Sequence, residues 1–294
     1  MTSFRLEAKA QAALWVLGAA FAFSLLYASG KLTGGLVPAI QIIFIRYVSG
    51  FATVSGITLA QRVPLRSVLG RGRRHMHVLR ALCGVGGGVC SIYGATHMPL
   101  ADASALALLQ GVFTMALAVL LLGEKITPRQ AFAALLCVAG ALVIVRGNTA
   151  GFSFDSLTET GVAPAAMIAG AFLTACEVIL IKVLSRQEIM LSMLLHVNGF
   201  ASLILGAAML VLWVPVEPLT LAALCLIGPM AIFGQMCNVR AYRLADAAWL
   251  APFTYASVAF AALIGWAVFG DLPSLVTWIG AGLIVAGGLL LLRR

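Results

Sequence analysis

The segment from Leu100 to Arg146 recurs, rewritten, from Leu244 to Arg293, so the chain is built as two related halves. Both copies open on the same four residues, Leu100-Ala101-Asp102-Ala103 and Leu244-Ala245-Asp246-Ala247. Each then crosses an apolar stretch to a Gly-acid turn, Gly123-Glu124 or Gly270-Asp271. A second apolar stretch follows, holding Ala139-Gly140 or Ala286-Gly287 and closing on Arg146 or Arg293. Up to the turn the second copy is three residues longer; beyond it the offset is constant at 147. Earlier in each half, Val48-Ser49-Gly50-Phe51-Ala52 is echoed by Val197-Asn198-Gly199-Phe200-Ala201, and Lys31 aligns with Lys182.

The apolar stretches are membrane-spanning in length. The chain is 62% hydrophobic and 10% charged, against roughly 45–50% and about 25% for a soluble domain. Windows long enough for a hydrocarbon core of about 30 Å fall near 12–29, 37–60, 77–96, 101–122, 129–146, 162–184, 190–213, 219–241, 246–270 and 273–292. The expected fold is an all-α membrane protein of ten spans. The long polar connector, 147–161, divides it into five-helix repeats at 1–146 and 162–294. An odd number of spans per half inverts the second half, and inverted repeats around a central cavity characterise secondary transporters.

Charge placement gives the same topology. Of the 19 Lys and Arg residues, only Lys31 and Arg146 fall outside and Arg46 falls within a span if the N-terminus is cytoplasmic. All the others, Arg80 and Lys182 among them, are assigned to cytoplasmic loops and helix ends. The positive-inside rule then sets both termini in the cytoplasm and the linker in the periplasm of a bacterial inner-membrane protein. The net charge of +9 therefore reads as a topology anchor facing anionic headgroups rather than as a nucleic-acid surface.

Several function classes are disfavoured. Cys83, Cys90, Cys137, Cys176, Cys225 and Cys237 all lie in apolar helices without a C-x-x-C pair, which gives little support to disulfides or zinc. His75, His77, His97 and His196 do not form a metal set, and solvent or interface roles are expected for the first three. No cofactor motif, H-E-x-x-H or nucleophile-base set is present, so no enzyme is expected. Residues 12–29 resemble a signal segment, but nine further spans favour a retained helix. No segment is long enough for a sensor domain.

The turn Leu122-Gly123-Glu124-Lys125-Ile126-Thr127-Pro128, the Ile45-Arg46-Tyr47 step and the two Leu-Ala-Asp-Ala helix starts resemble EamA-type members of the drug/metabolite transporter superfamily. Size, layout and a long basic loop are most similar to the YddG-type bacterial exporters of amino acids, aromatic ones included. The resemblance implies a substrate cavity lined by spans one, three, four, six, eight and nine, and no cofactor.

Polar positions on those spans supply the candidate site: Ser24, Tyr27, Gly87, Ser91, Tyr93, Gln110, Thr114, Thr174, Glu177, Gln235, Asn238, Trp249, Thr254 and Tyr255. Gln110 with Thr114, Thr174 with Glu177, and Gln235 with Asn238 share helix faces at i, i+3 or i, i+4, as interhelical glue or as ligands. Glu177, a carboxylate deep in a span, should face a cavity or a partner. Its context resembles the membrane glutamate of the small multidrug-resistance proteins, where the carboxylate exchanges protons against cations. It is thus the proton-coupling candidate, with Arg46 a candidate partner. Arg46 itself is expected to be structural, snorkelling or pairing to backbone carbonyls.

Two features speak to motion. Gly84-Val85-Gly86-Gly87-Gly88 serves either tight helix contact or space for a substrate and a gate, with Gly86 and Gly88 as hinge candidates. Pro229 and Pro252 should break the hydrogen-bond ladders of spans eight and nine. The function expected is secondary transport of amino acids or related small metabolites, in the direction of export, with the lipid bilayer and a small-molecule substrate as partners. Proton-coupled export of organic cations is the alternative. Gly282 and Ala286 suit a homodimer contact and a monomer equally.

Overall fold

The computed structural model describes residues 2–32, 37–64, 73–97, 106–147, 162–269 and 275–292, and all regular structure among them is helical. Outside them lie the linker 148–161, Leu100-Ala101-Asp102-Ala103, Gly270-Asp271 and Arg293, and the Tyr27 side chain is likewise not described. The helices are α1 (Thr2–Leu32), α2 (Ala39–Ala60), α3 (Arg74–His97), α4 (Leu109–Leu122), α5 (Pro128–Gly147), α6 (Ala163–Ser185) and α7 (Met190–Leu212). They continue with α8 (Pro218–Cys225), α9 (Ile227–Leu244), α10 (Ala247–Leu250), a 3₁₀ turn (Ala251–Tyr255), α11 (Ala256–Phe269) and α12 (Leu275–Leu292). Seven segments among the described residues are long and apolar enough to cross a membrane, α8–α9 counting as one and α10–α11 as another. Shorter apolar helices, 109–122, 128–143 and 278–290, stand where the fourth, fifth and tenth spans are expected.

Packing follows the rule for lipid rather than water. Large side chains such as Leu59, Leu120, Leu210, Val211 and Leu275 point outward, while the interior is rich in Ala. Small interior residues let backbones approach closely, which is how helices associate when lipid removes the hydrophobic drive between them.

The broadest interfaces all join the two halves: α3 on α6, α1 on α9, α2 on α7 and α5 on α12. Exchanging each span for its counterpart five spans away turns α1–α9 into α3–α6 and leaves the other two pairings unchanged. Atomic contacts repeat this exchange. A Cβ at Gly140 would lie 2.6 Å from the Gly280 carbonyl oxygen and 3.0 Å from the Ile284 nitrogen. One at Gly287 would meet the Ala133 carbonyl at 2.9 Å and the Cys137 sulfur. Each pair becomes the other on a shift of 147, and the Cys137 thiol donates to the carbonyl of its own counterpart, Ile284, at 3.6 Å. This crossed register makes α5 and α12 antiparallel, as inverted halves require. The Gly-Phe echoes also meet each other: Asn198 fills the space over Gly50, and the Phe51 ring covers Gly199.

The Gly-acid turn explains itself residue by residue. Gly123 has φ +65°, the left-handed conformation that ends α4, and the Glu124 N–H donates to the Ala118 carbonyl at 3.2 Å. Thr127 and Gln130 then form a reciprocal capping box: the Thr127 N–H donates to Gln130 Oε1 at 2.7 Å and the Gln130 N–H to Thr127 Oγ1 at 3.3 Å. Pro128 occupies the first position of α5, where a missing N–H costs nothing.

Span eight breaks at Leu226, three residues before Pro229, which has no N–H to offer the Cys225 carbonyl. Span nine leaves the α conformation at Ala251–Tyr255, with Pro252 in the first turn of the 3₁₀ segment. Both prolines thus sit at interruptions of their spans.

Candidate functional site

The seam between α3 and α6 brings together four of the candidates, Gly87, Ser91, Thr174 and Glu177. A Cβ on Gly87 would lie 2.7 Å from Thr174 Oγ1 and 3.3 Å from the Gly170 carbonyl, and one on Gly170 would lie 2.8 Å from Ser91 Oγ. Gly87, Ser91 and Thr174 therefore fit together only because two glycines face each other across the helices. Thr174 Oγ1 also donates to the Gly170 carbonyl at 2.8 Å. Gly86 and Gly88 take contacts from Leu173 and Ile43, each 3.1 Å from a would-be Cβ. Along the glycine run, close packing is the role these contacts display.

One turn toward the start of α3, the missing Cβ of Gly84 makes room for the Glu177 carboxylate, whose Oε2 would be 3.0 Å from a methyl there, as would the Tyr47 hydroxyl. Glu177 Oε1 lies 3.5 Å from Arg80 Nε. The exposures of the pair are unequal: 0% for the Arg80 side chain and 18% for Glu177. Arg80 Nη1 donates to the Met193 carbonyl of α7 at 3.2 Å, while Nη2 has no hydrogen-bond partner among the described residues.

The cation beside Glu177 is thus Arg80 and not Arg46. Arg46 lies with its guanidinium carbon 4.8 Å from the Tyr47 ring centre and 5.7 Å from that of Phe23, the cation–π geometry of a partly buried Arg. Arg80 is also misplaced by the charge map, which put it at a cytoplasmic helix end. α3 begins at Arg74, so Arg80 sits about 9 Å along the helix at 1.5 Å per residue. Lys182 does stand at a helix end, as the charge map has it, but it does not face solvent. It is buried in the last turn of α6, donates to the Ala245 carbonyl and lies 3.7 Å from Asp246 Oδ1. His77 is not a solvent-facing residue either: it is buried, 2.7 Å from Glu188 Oε2, and stacked on His196.

The repeat's two sequence marks meet at a third junction. Glu124, from the Gly-acid turn of the first half, accepts the Ala247 N–H at 3.1 Å and the Ala248 N–H at 2.8 Å. These are the first residues of α10, the helix that opens on the second Leu-Ala-Asp-Ala. A carboxylate there satisfies helix donors that have no partner within the helix and complements the positive end of its dipole. Both motifs stand out in the sequence, but only the fold brings one onto the other as its cap.

The remaining candidates divide between glue and open positions. Ser24 Oγ donates to the Ala20 and Ser257 carbonyls at 2.8 and 3.0 Å, tying α1 to α11. Thr114 Oγ1 donates to the Gln110 carbonyl at 2.8 Å, and Tyr255 packs over Gly111, bringing α4 against the 3₁₀ turn. Thr254 Oγ1 donates to the Ala251 carbonyl at 2.7 Å. Gln235 is buried and accepts from Asn198 Nδ2 at 3.0 Å, so it faces α7; Asn238, one turn on, is half-buried. Trp249 is buried against Phe253, ring centres 5.1 Å apart, with Lys9 5.5 Å from its ring centre. It forms part of the packed interior, whereas Tyr93 is exposed.

Comparison with known proteins places this geometry. The profile described as the EamA-like transporter family matches residues 10–146 and again 162–293. The riboflavin transporter of Brucella anthropi is 32% identical, covering 90% of this chain and 91% of its own. The pseudopaline exporter CntI of Pseudomonas aeruginosa is 30% identical over 94% and 93%. The S-adenosylmethionine uptake transporter of Rickettsia prowazekii is 25% identical over 77% and 74%. A solved crystal structure with 21% identity and a TM-score of 0.79 covers 96% of both chains and shares the fold. These relatives are not specifically the amino-acid exporters toward which size and layout pointed.

Proposed function

Because the chain belongs to the EamA-like transporter family, we propose that it moves an amino acid or a related small metabolite outward across a bacterial inner membrane. Transport proceeds by alternating access of two inverted five-helix repeats, residues 1–146 and 162–294, joined by a periplasmic linker at 147–161. Ten spans set both termini in the cytoplasm, on the positive-inside argument. The site lies between α3 and α6 and their counterparts α9 and α1.

The observation that carries this reading is the Arg80–Glu177 pair. It crosses from one half to the other at membrane depth, with a spare guanidinium donor and a partly exposed carboxylate. The partly exposed carboxylate takes the ammonium group of an amino acid, and the buried guanidinium behind it holds the carboxylate in place. Ser91, Gln110, Thr114, Thr174 and Asn238 supply neutral hydrogen-bonding groups on the neighbouring faces, and Tyr93 an aromatic one. Pro229 and Pro252, at the interruptions of their spans, are the points where the helices yield, while Gly86 and Gly88 let α3 slide against its close-packed neighbours.

A riboflavin-type substrate is the second reading, favoured by the riboflavin transporter's 32% identity over nearly the full length. Proteoliposomes offered labelled amino acids, riboflavin and quaternary cations, with and without a pH gradient, separate these readings. The proposal expects amino-acid flux that falls at least tenfold in Glu177→Gln. Flux of riboflavin or cations alone would replace the amino-acid reading.

A further inference from the structure

Near the start of α3, outside the Arg80–Glu177 pair, the rings of His77 and His196 lie face to face, centres 4.5 Å apart and planes 16° apart. His77 comes from the first half and His196 from the second. Hydrogen bonds fix which ring nitrogens carry protons. Glu188 Oε2 accepts from Ser192 Oγ at 3.1 Å and lies 2.7 Å from His77 Nε2, so an ionised Glu188 requires a proton on Nε2. His196 Nδ1 lies 2.8 Å from the Ser192 carbonyl oxygen, which only accepts, so that nitrogen is protonated as well. One nitrogen per ring is left to take up a further proton: Nδ1 of His77, buried without a hydrogen-bond partner among the described residues, and Nε2 of His196.

Burial of the His77 ring, His196 and Arg80 oppose a further proton and Glu188 favours one, so the stack has room for one proton at most. The groups facing His77 are Glu188, His196 and Arg80. Glu188 is a single carboxylate for two imidazoles, and Arg80 is already matched by Glu177. From α9, Arg243 reaches the Ser185 and Glu188 backbone carbonyls and is itself exposed, and on α3 Arg74 and His75 are exposed. Two imidazolium rings stacked at this distance repel each other, while one is neutralised by Glu188.

We propose that His77, His196 and Glu188 form a proton-binding site that holds one proton when this end of the molecule is closed. The protonated stack attracts Glu188 and latches the first half to the second. Loss of the proton leaves Glu188 without a counter-charge and loosens the latch. The substrate cycle thereby gains a proton step carried by this site rather than by Glu177, which is paired with Arg80. The inference rests on the transport reading for its consequence, and on geometry alone for the proton itself.

Two measurements separate these. Ring-nitrogen NMR of ¹⁵N-histidine-labelled protein in nanodiscs, titrated from pH 5 to 8.5, reads the proton without any substrate. The site predicts two histidines titrating as a coupled pair, one proton being lost well after the other. It also predicts that Glu188→Gln moves the higher transition down by at least one pH unit. Independent transitions unmoved by Glu188→Gln overturn the site. In proteoliposomes loaded with phenylalanine or riboflavin, the stimulation by a pH gradient, taken relative to each variant's own exchange, should fall at least fivefold in His77→Gln. His196→Phe, which keeps the stack, should lose the coupled transition and serves if His77→Gln does not fold. Exchange with unchanged gradient stimulation in both variants overturns the proton step, whereas absence of exchange with every probe overturns the transport reading and leaves the NMR result standing.

Discussion

Replacing Glu177 by leucine strips the counter-charge from a guanidinium that is wholly buried, and the unequal exposure of the two partners sets the size of the effect. Arg80 has no water to turn to at 0% exposure, so Glu177→Leu should cost about 3–5 kcal/mol, the range for one partner lost from a buried pair. Glu177 retains 18% exposure; hydration can relieve it, so Arg80→Met should cost only about 1–2 kcal/mol, near the penalty of an unsatisfied polar group. The double variant removes both charges and should cost at least about 2 kcal/mol less than the sum of the single changes. Reversible unfolding in mixed dodecylmaltoside–SDS micelles, run as a double-mutant cycle, measures all three. Additivity within about 0.5 kcal/mol, or an Arg80→Met cost exceeding that of Glu177→Leu, would refute the argument that Glu177 neutralises a buried Arg80.

Three further outcomes follow from the packing, each read as a change in unfolding free energy in the same micelles. Glu124→Ala should cost about 1–2 kcal/mol by uncapping α10, with Glu124→Gln milder because its amide oxygen still accepts one N–H; equal costs would argue against an ionised cap. Gly87→Ala should cost about 1–3 kcal/mol, because its methyl would meet Thr174 Oγ1 at 2.7 Å, and adding Thr174→Ala should recover part of that loss. Asn198→Ala should cost about 0.6 kcal/mol, the mean for interhelical hydrogen bonds in membranes, and no more than about 1.7 kcal/mol, by releasing Gln235. No loss there would mean that Gln235 finds another donor.

The sequence made the fold legible where the repeat and the apolar periods coincided. The shared Ala-Gly pairs match Gly140 with Gly287, and the contacts of these two glycines on α12 and α5 exchange under the offset of 147. The Gly-acid turn was visible as a motif, but its purpose was not, because Glu124 acts on Ala247 and Ala248 in the other half. The same blindness hid Arg80 and His77. A cation or imidazole near the start of a basic helix reads as an anchor until its partner, Glu177 or Glu188, is brought across from the second repeat. Helix-face arguments had a narrower failure. Gln235 and Asn238 lie one turn apart, yet the interhelical bond to Asn198 draws only Gln235 into the packed interior. Gly84 is legible in the sequence only as part of a glycine run; that it makes room for the Glu177 carboxylate is seen once α6 lies against it.

Alternating access itself is tested most directly by counterflow. Proteoliposomes preloaded with unlabelled substrate from the flux panel are diluted into trace labelled substrate, without nucleotide or ion gradient. The account predicts that label rises transiently above its equilibrium level inside loaded vesicles, because an outward-moving substrate returns the site for an inward one. Label that only approaches equilibrium, at a rate indifferent to what the vesicles contain, would describe an open pore and contradict the account.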